Sequence, residues 1–189
     1  MPRKVLKLLA GFEKPWFVAG GWAIDLYLKR VTREHNDIEI AIFRCDQLAL
    51  QKHLSGWEFK KVIPGSKMRA EIWQEGEWLD LPVHEIHAEK KDSDLSHLEI
   101  LLNESSEDEW MFRRNPNITR PLSMLGLRSE NGIPFLSPEI VLLYKAKKPT
   151  ANDEVDFNNV SQVLEKEPRR WLKQAIQVCH PGHVWLEAL

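Results

Sequence analysis

The chain has 189 residues and a formal net charge of −2 at pH 7. This length predicts one compact domain, or one domain with a helical extension, that is able to bury its own core. The balanced charge does not indicate a broad nucleic-acid surface. The longest apolar runs are far shorter than the roughly 20 residues that a membrane helix needs, so we expect a cytoplasmic protein without a membrane segment.

The first predicted elements are a helix, a strand and a second helix. Residues 1–11 are basic and then apolar, which indicates an amphipathic helix. The apolar run Trp16–Ala19 stops at Gly20-Gly21, which predicts a strand that ends in a tight turn. Residues 22–30 carry apolar side chains at i,i+4 spacing and predict a helix.

The segment from Asp37 to Phe43 alternates between apolar and polar residues. Such a period of two predicts a strand with one buried face. The first face carries Ile38, Ile40 and Ile42, and the second carries Asp37, Glu39 and Ala41.

Residues 47–54 predict a short helix, and several strand signals follow. The turn signal Glu75-Gly76 predicts a hairpin whose return strand, 77–83, carries Trp78, Asp80 and Pro82 on one face. The charged residues 88–97 are expected to form a loop. The remaining strand signals lie at 57–63, 68–73, 98–102, 110–114 and 123–128, and Asn131-Gly132 predicts a hairpin turn.

The last third of the chain is predicted to be helical. Ser137-Pro138 is typical of a helix start, and this helix should run to about Lys147. Further helices are expected from Asn152 or Asp153 and from Pro168. We therefore expect an α+β fold, in which a mixed α and β domain (1–134) is followed by a helical subdomain (135–189).

Asp37 and Glu39 form a candidate metal site because their side chains leave the same face of one strand. Their backbones should be about 6.6 Å apart at roughly 3.3 Å per residue. Carboxylates so close repel each other, and a magnesium ion would relieve the repulsion. Asp80 could supply a third carboxylate and complete a site for two ions. The alternative is that Asp37 and Glu39 are the solvated face of an amphipathic strand.

Gly20 and Gly21 stand between a strand and a helix. Two glycines there let backbone N–H groups approach a phosphate at the helix N-terminus. A Gly-Gly pair can also be an ordinary turn. The order strand, Gly-Gly, helix and a D-x-E strand is more specific than either motif alone.

Two segments, Val18–Asp25 and Thr32–Ile40, resemble the signature of the aminoglycoside and lincosamide nucleotidyltransferases, which belong to the polymerase-beta-like nucleotidyltransferase superfamily. That signature is a glycine pair followed by an hDh[D/E]h strand. The resemblance implies the nucleotidyltransferase fold, with residues 1–134 as its catalytic domain. It also implies transfer of a nucleoside monophosphate from an NTP to a hydroxyl of a small molecule.

The same resemblance implies roles for individual residues. Asp37 and Glu39 would bind magnesium, and Gly20 and Gly21 would cradle the phosphate tail. Asp80 would stand at the position of the third carboxylate, as a metal ligand or as the general base.

The segment 138–147 is similar to a family helix whose lysine, here Lys145, reaches the nucleotide phosphates. Lys145 could instead belong to a last-turn cluster that the helix dipole favours. Arg33 and His35 could contact the triphosphate or orient their loop. Asp153 and Asp156 are expected to be cap and surface residues, and the spacing His84-x-x-His87 is a weak indication of a metal pair.

These expectations combine into an Mg²⁺-dependent nucleotidyltransferase, with a two-ion site and ATP as the expected co-substrate. The expected acceptor is a small hydroxylated molecule, aminoglycoside- or lincosamide-like and cationic, rather than a nucleic acid. The acidic run Glu107-Asp108-Glu109 and Trp78, beside Asp80, favour a cation. Two alternatives remain open: a toxin-like nucleotidyltransferase that modifies RNA or protein, and a non-catalytic nucleotide-binding protein. The sequence does not indicate the oligomeric state.

Overall fold

The computed structural model describes residues 1–65 and 69–189. Within these ranges the helices are α1 Pro2–Leu8, α2 Gly20–Leu28, α3 Gln47–His53, α4 Pro138–Lys145, α5 Ala151–Ser161 and α6 Lys166–Cys179. The strands are β1 Trp16–Val18, β2 Glu39–Phe43, β3 Glu58–Ile63, β4 Arg69–Ile72, β5 Glu85–Glu89, β6 His97–Ser106, β7 Glu109–Met111, β8 Thr119–Pro121, β9 Gly126–Arg128 and β10 Pro134–Leu136.

The strands form one mixed sheet in the order β4-β3-β5-β6-β2-β1-β10-β9, and β7 and β8 extend it from β6. The central strand β2 runs parallel to β6 and antiparallel to β1. The α+β architecture with a mixed sheet is therefore confirmed. The hairpin turn predicted at Asn131-Gly132 connects β9 and β10, and Gly132 has a positive φ of 75°.

The two faces of β2 are used differently, as the alternating pattern predicted. Ile38, Ile40 and Ile42 are buried in the core, with exposures of 2% or less. Leu98, Ile100 and Leu102 of β6 are buried with them. The opposite face carries Glu39 on β2 and its cross-strand partner Glu99 on β6. The isoleucine face therefore stabilises the sheet, and the opposite face is available for the polar side chains of Glu39 and Glu99.

Two predictions about secondary structure were wrong. Residues 77–83 are not a strand: the segment between β4 and β5 is irregular and is held by side chains. Gln47 accepts a hydrogen bond from the Leu79 amide, and Arg44 donates to the Leu79 carbonyl. The charged residues 88–97 are not all loop, because β5 extends to Glu89 and β6 begins at His97. Met68, the predicted start of a strand, lies outside the described residues.

The helical third of the chain is tied to the sheet by a buried arginine. The Arg120 guanidinium, on β8, donates to Glu139 of α4 at 2.6 Å and to Glu167 of α6 at 2.9 Å. The domain boundary predicted at 134/135 falls within β10, and the division into two domains stays a prediction. In the described ranges no helix is long and apolar enough to cross a membrane.

Candidate active site

Gly20 and Gly21 open α2, and both positions exclude a side chain. Gly20 has a φ of +57°, and a Cβ there would overlap the Glu39 carboxylate. A Cβ on Gly21 would overlap Arg33 and the His35 ring. The glycine pair therefore lets Glu39, Arg33 and His35 approach the N-terminus of a helix, where free backbone N–H groups favour negative charge.

The segment that leads into β2 is fixed by side chains of α2. Trp22 donates a hydrogen bond from Nε1 to the Asp37 carbonyl at 3.0 Å and packs against the tilted His35 ring, with ring centroids 4.5 Å apart. His35 Nε2 lies 2.6 Å from Oδ2 of the buried Asp25. This chain of contacts positions the backbone of Asp37 immediately before the strand.

Glu39 lies in a cluster of carboxylates that spans three strands. Glu39 and Glu99 are register partners on the parallel strands β2 and β6. Glu85 lies on β5, whose register pairs it with Leu101, two residues beyond Glu99. Because alternate residues share a face, Glu85 and Glu99 lie on the face that carries Glu39. Asp37, Glu85 and Glu99 all act electrostatically on Glu39.

The cluster is short of positive charge. Burial, together with the carboxylates of Glu99, Asp37 and Glu85, raises the pKa of Glu39 to about 7, although Lys145 opposes the shift. Burial and the neighbouring Asp37 also raise the pKa of Glu99. Oxygen donors with uncompensated negative charge suit a hard divalent cation such as Mg²⁺. The residues present therefore fit the metal that the sequence predicted.

Asp80 does not lie with this cluster. Asp80 is not among the carboxylates that act on Glu39, and it does not line either of the two hollows that reach Glu39. The exposed Asp80 carboxylate instead accepts a hydrogen bond from the Trp78 indole at 2.9 Å. The role of Asp80 as a metal ligand or general base stays a prediction. The expected convergence of Asp80 with Asp37 and Glu39 is not seen.

Within the described ranges, one group of three possible metal ligands has ligand atoms that all lie within 4.8 Å of one another. Its members are Glu85, His87 and Glu99. His87 Nε2 is 2.8 Å from Glu85 Oε1. His84, in contrast, lies before β5, and its Nδ1 is 2.8 Å from the Pro82 carbonyl. The sequence reasoning missed Glu85 and Glu99. A signal for Glu85 was present, since Glu85–Glu89 alternates between polar and apolar residues.

Lys145 and Arg33 flank Glu39 on the side of the glycine pair, and both are held by acidic residues of α5. Arg33 makes two hydrogen bonds of 3.1 Å to Asp156. Lys145 is paired with Asp153 and lies 3.0 Å from Asp156. Asp156 is fully buried and so is not the surface residue that the sequence suggested. Asp153 is confirmed as a cap residue, in a capping box with Thr150.

A cavity of about 240 Å³ borders Gly20, Glu39 and Lys145 and extends toward β5 and β6. Its polar side chains include Glu85, Asn103, Arg113, Arg114 and Tyr144, and its apolar wall includes Leu101 and Val141. The Arg113 and Arg114 guanidinium carbons lie 5.7 and 5.3 Å from the centroid of the Tyr144 ring. A second depression, lined by Gly21, Arg33, His35 and Lys145, also reaches Asp37 and Glu39. The two hollows share Glu39 and Lys145, so both border the carboxylate cluster.

Comparisons with known proteins identify the family and the fold of the chain. The profile of the aminoglycoside-2''-adenylyltransferase family matches residues 3–160, so the chain belongs to this family. The fold is that of the nucleotidyltransferases. A comparison with curated proteins found no match.

Solved structures with the same fold include two of ANT(2'')-Ia and one of LnuA. The solution structure of the antibiotic-resistance factor ANT(2'')-Ia has 21% identity and a TM-score of 0.58, over 94% of this chain and 89% of that one. ANT(2'')-Ia in complex with adenylyl-2''-tobramycin has 18% identity and a TM-score of 0.57, over 94% and 95%. The lincosamide adenylyltransferase LnuA, bound to lincomycin, has 18% identity and a TM-score of 0.57, over 84% and 93%.

Proposed function

We propose that this protein transfers a nucleoside monophosphate from an NTP, with ATP as the preferred donor, to a hydroxyl group of a small molecule. One observation carries the proposal: the Glu39 carboxylate fills the space left by the missing side chain of Gly20, at the N-terminus of α2, within the electrostatic reach of Lys145. Phosphate groups and the metal that accompanies them need this combination of helix N-terminus, carboxylate and lysine.

The nucleotide phosphates would occupy the hollow beside the glycine pair. The first amides of α2 would donate to phosphate oxygens, and Arg33 and Lys145 would add positive charge. Since Asp153 and Asp156 hold these cations, the side chains are positioned before the nucleotide arrives. Asp37 and Glu39 would hold Mg²⁺, which when bound neutralises charge on the phosphates.

Glu85 is the residue that we propose as the third carboxylate. It lines the cavity that Glu39 and Lys145 also line, where the acceptor hydroxyl would approach the nucleotide, and Asp80 does not. In the proposed step the Glu85 carboxylate takes the proton of the acceptor hydroxyl. The acceptor oxygen then forms a bond to the α-phosphorus as the bond to pyrophosphate breaks, and Lys145 faces the departing charge.

The acceptor that we propose is a small hydroxylated molecule. ANT(2'')-Ia has been captured with an adenylylated tobramycin and LnuA with lincomycin, both of them small hydroxylated antibiotics.

The test is intact-mass analysis after incubation with Mg²⁺, each NTP and a panel of aminoglycosides, lincosamides, sugars, sugar phosphates, tRNA and proteins. We expect a nucleotide-sized mass gain on a small molecule. Glu85→Gln should lower the rate by at least about a hundredfold, the usual contribution of a general base. Asp80→Asn should stay within about threefold of wild type, as should the exposed control Asp108→Asn.

Two results would count against this account. A mass gain on tRNA or on a protein, with none on a small molecule, would favour a toxin-like nucleotidyltransferase. A severe loss in Asp80→Asn with an active Glu85→Gln would return the third carboxylate to Asp80.

A further inference from the structure

A histidine and two glutamates converge on the polar face of β5 and β6. Glu85 and His87 are alternate residues of β5, so their side chains leave the same face of the sheet. His87 is the register partner of Glu99 on the antiparallel strand β6. Directly opposed residues of such a pair hold their Cβ atoms roughly 5 Å apart. The three side chains are therefore brought together by the sheet, which is a rigid support for a binding site.

The possible ligand atoms of these side chains are close to one another. His87 Nε2 lies 2.8 Å from Glu85 Oε1 and 4.0 Å from Glu99 Oε1. The three side chains are only partly exposed, between 20% and 29%. His97 packs edge-on against the His87 ring, and its Nε2 lies 3.7 Å from the same oxygen of Glu99. His97 therefore constrains both the His87 ring and the Glu99 carboxylate.

The two glutamates lack a strong cationic partner. Over residues 1–65 and 69–189, neither carboxylate has a lysine or arginine nitrogen within 4.0 Å. Lys60, which pairs with His87 in the register of β3 and β5, donates instead to Glu89 at 3.0 Å. Two partly buried carboxylates without a fixed cation leave negative charge that a divalent ion would compensate.

The ligand types distinguish this group from Asp37 and Glu39. Mg²⁺ takes oxygen ligands, whereas an imidazole nitrogen suits zinc and related transition metals. One histidine and two carboxylates supply three protein ligands and leave a position for water, as in open zinc sites. His87 lines neither of the two hollows that border Glu39.

We propose that Glu85, His87 and Glu99 form a second cation site, which takes Zn²⁺ or a transition-metal ion of the same class. Binding of the ion through His87 Nε2 would release to solvent the proton that lies between this nitrogen and Glu85. The site does not depend on the proposed function, but one consequence does. An ion that holds Glu85 competes with the acceptor proton for that carboxylate, so Zn²⁺ should slow nucleotide transfer.

The experiment is calorimetric titration of the full chain with Zn²⁺, in the presence of excess Mg²⁺. Wild type should bind Zn²⁺, and the imidazole signals of His87 should shift in NMR spectra as it does so. His87→Gln should weaken this binding by at least about tenfold, the scale on which contacts of a metal site are lost. His53→Gln removes a histidine of α3 outside the group and should bind Zn²⁺ as wild type does.

A second pair of measurements separates this site from the magnesium site. Asp37→Asn should keep the Zn²⁺ affinity within about threefold, since it removes a neighbouring charge and not a ligand. His87→Gln should bind a non-hydrolysable ATP analogue with Mg²⁺ as wild type does. The proposal is wrong if wild type binds Zn²⁺ no better than His87→Gln. It is also wrong if Asp37→Asn abolishes Zn²⁺ binding, because the ion would then occupy the magnesium ligands.

Transfer assays with added Zn²⁺ test the consequence for the reaction. Zn²⁺ should slow wild type at concentrations that leave His87→Gln unaffected. If Zn²⁺ binds through His87 without slowing transfer, the metal site stands and the role of Glu85 as the base is wrong. If wild type transfers no nucleotide at all, the proposed function fails, and the Zn²⁺ titration still decides the metal site.

Discussion

The two sides of the carboxylate cluster hold their cations in opposite ways. On the glycine-pair side, Arg33 and Lys145 are paired with Asp156 and Asp153. On the cavity side, Arg113 and Arg114 lie over the Tyr144 ring. Among the described residues, neither guanidinium has a carboxylate within 4.0 Å. A paired cation is positioned by the protein itself, whereas an unpaired one needs a ligand to compensate its charge. Under the proposed function, Arg33 and Lys145 are therefore held in place before the nucleotide phosphates bind.

The largest expected effect is on the paired side. Asp156 is fully buried and serves both Arg33 and Lys145. Asp156→Asn should lower the free energy of unfolding by about 3 to 5 kcal/mol, because it leaves two cations without their common partner. Urea denaturation measures the effect, with Asp108→Asn as the exposed control. A loss below about 1 kcal/mol would show that the pairing does not stabilise this side.

The next effect concerns pH and Glu39. Its pKa is raised to about 7 in the folded protein, above the ordinary value of 4.5. The folded state therefore binds the proton more tightly, and the stability that this contributes is present below about pH 4.5 and lost as the pH rises through 7. Without divalent cations, Glu39→Gln should match wild type near pH 4.5 and exceed it by up to about 3 kcal/mol at pH 8.

Thermal denaturation at the two pH values, with and without Mg²⁺, measures this difference. Added Mg²⁺ should narrow the gap at pH 8, because it stabilises wild type and not the variant. If Glu39→Gln and wild type differ in stability by the same amount at both pH values, the raised pKa of Glu39 is not the cause of that difference.

The smallest expected effect is on the unpaired side. Arg113→Gln should change the free energy of unfolding by no more than about 0.5 kcal/mol, or raise it slightly, because it relieves repulsion with Arg114 and breaks no ion pair in the described chain. Urea denaturation alongside Asp156→Asn gives the comparison directly. A loss as large as that of Asp156→Asn would mean that Arg113 has a structural role, and the contrast between the two sides would disappear.

The parts of the site that were predictable from sequence are those encoded by local patterns. The period of two in 37–43 placed Asp37 and Glu39 on one face, and the glycine pair marked the start of α2. The cross-strand neighbour Glu99 depends on the parallel register of β2 and β6, which no local pattern reveals. The convergence of Arg113, Arg114 and Tyr144 likewise joins residues some 30 positions apart.

The wrong strand prediction at 77–83 shows how a local signal can mislead. The turn residues Glu75-Gly76 do form a turn, but the chain after them does not pair with β4. The buried Leu79 amide and carbonyl are satisfied by the side chains of Gln47 and Arg44 instead of by a neighbouring strand. The next strand therefore begins at Glu85, and it is Glu85 that the sheet brings beside Glu99.

The central claim, that Asp37 and Glu39 hold a metal-bound nucleotide, is tested most directly by calorimetric titration of the protein with a non-hydrolysable ATP analogue. With Mg²⁺ present, wild type should bind the analogue, and Asp37→Asn and Glu39→Gln should each weaken binding by at least about tenfold. Omitting Mg²⁺ should weaken binding to wild type to a similar extent. Binding that is equally tight without Mg²⁺ and in both variants would contradict the account.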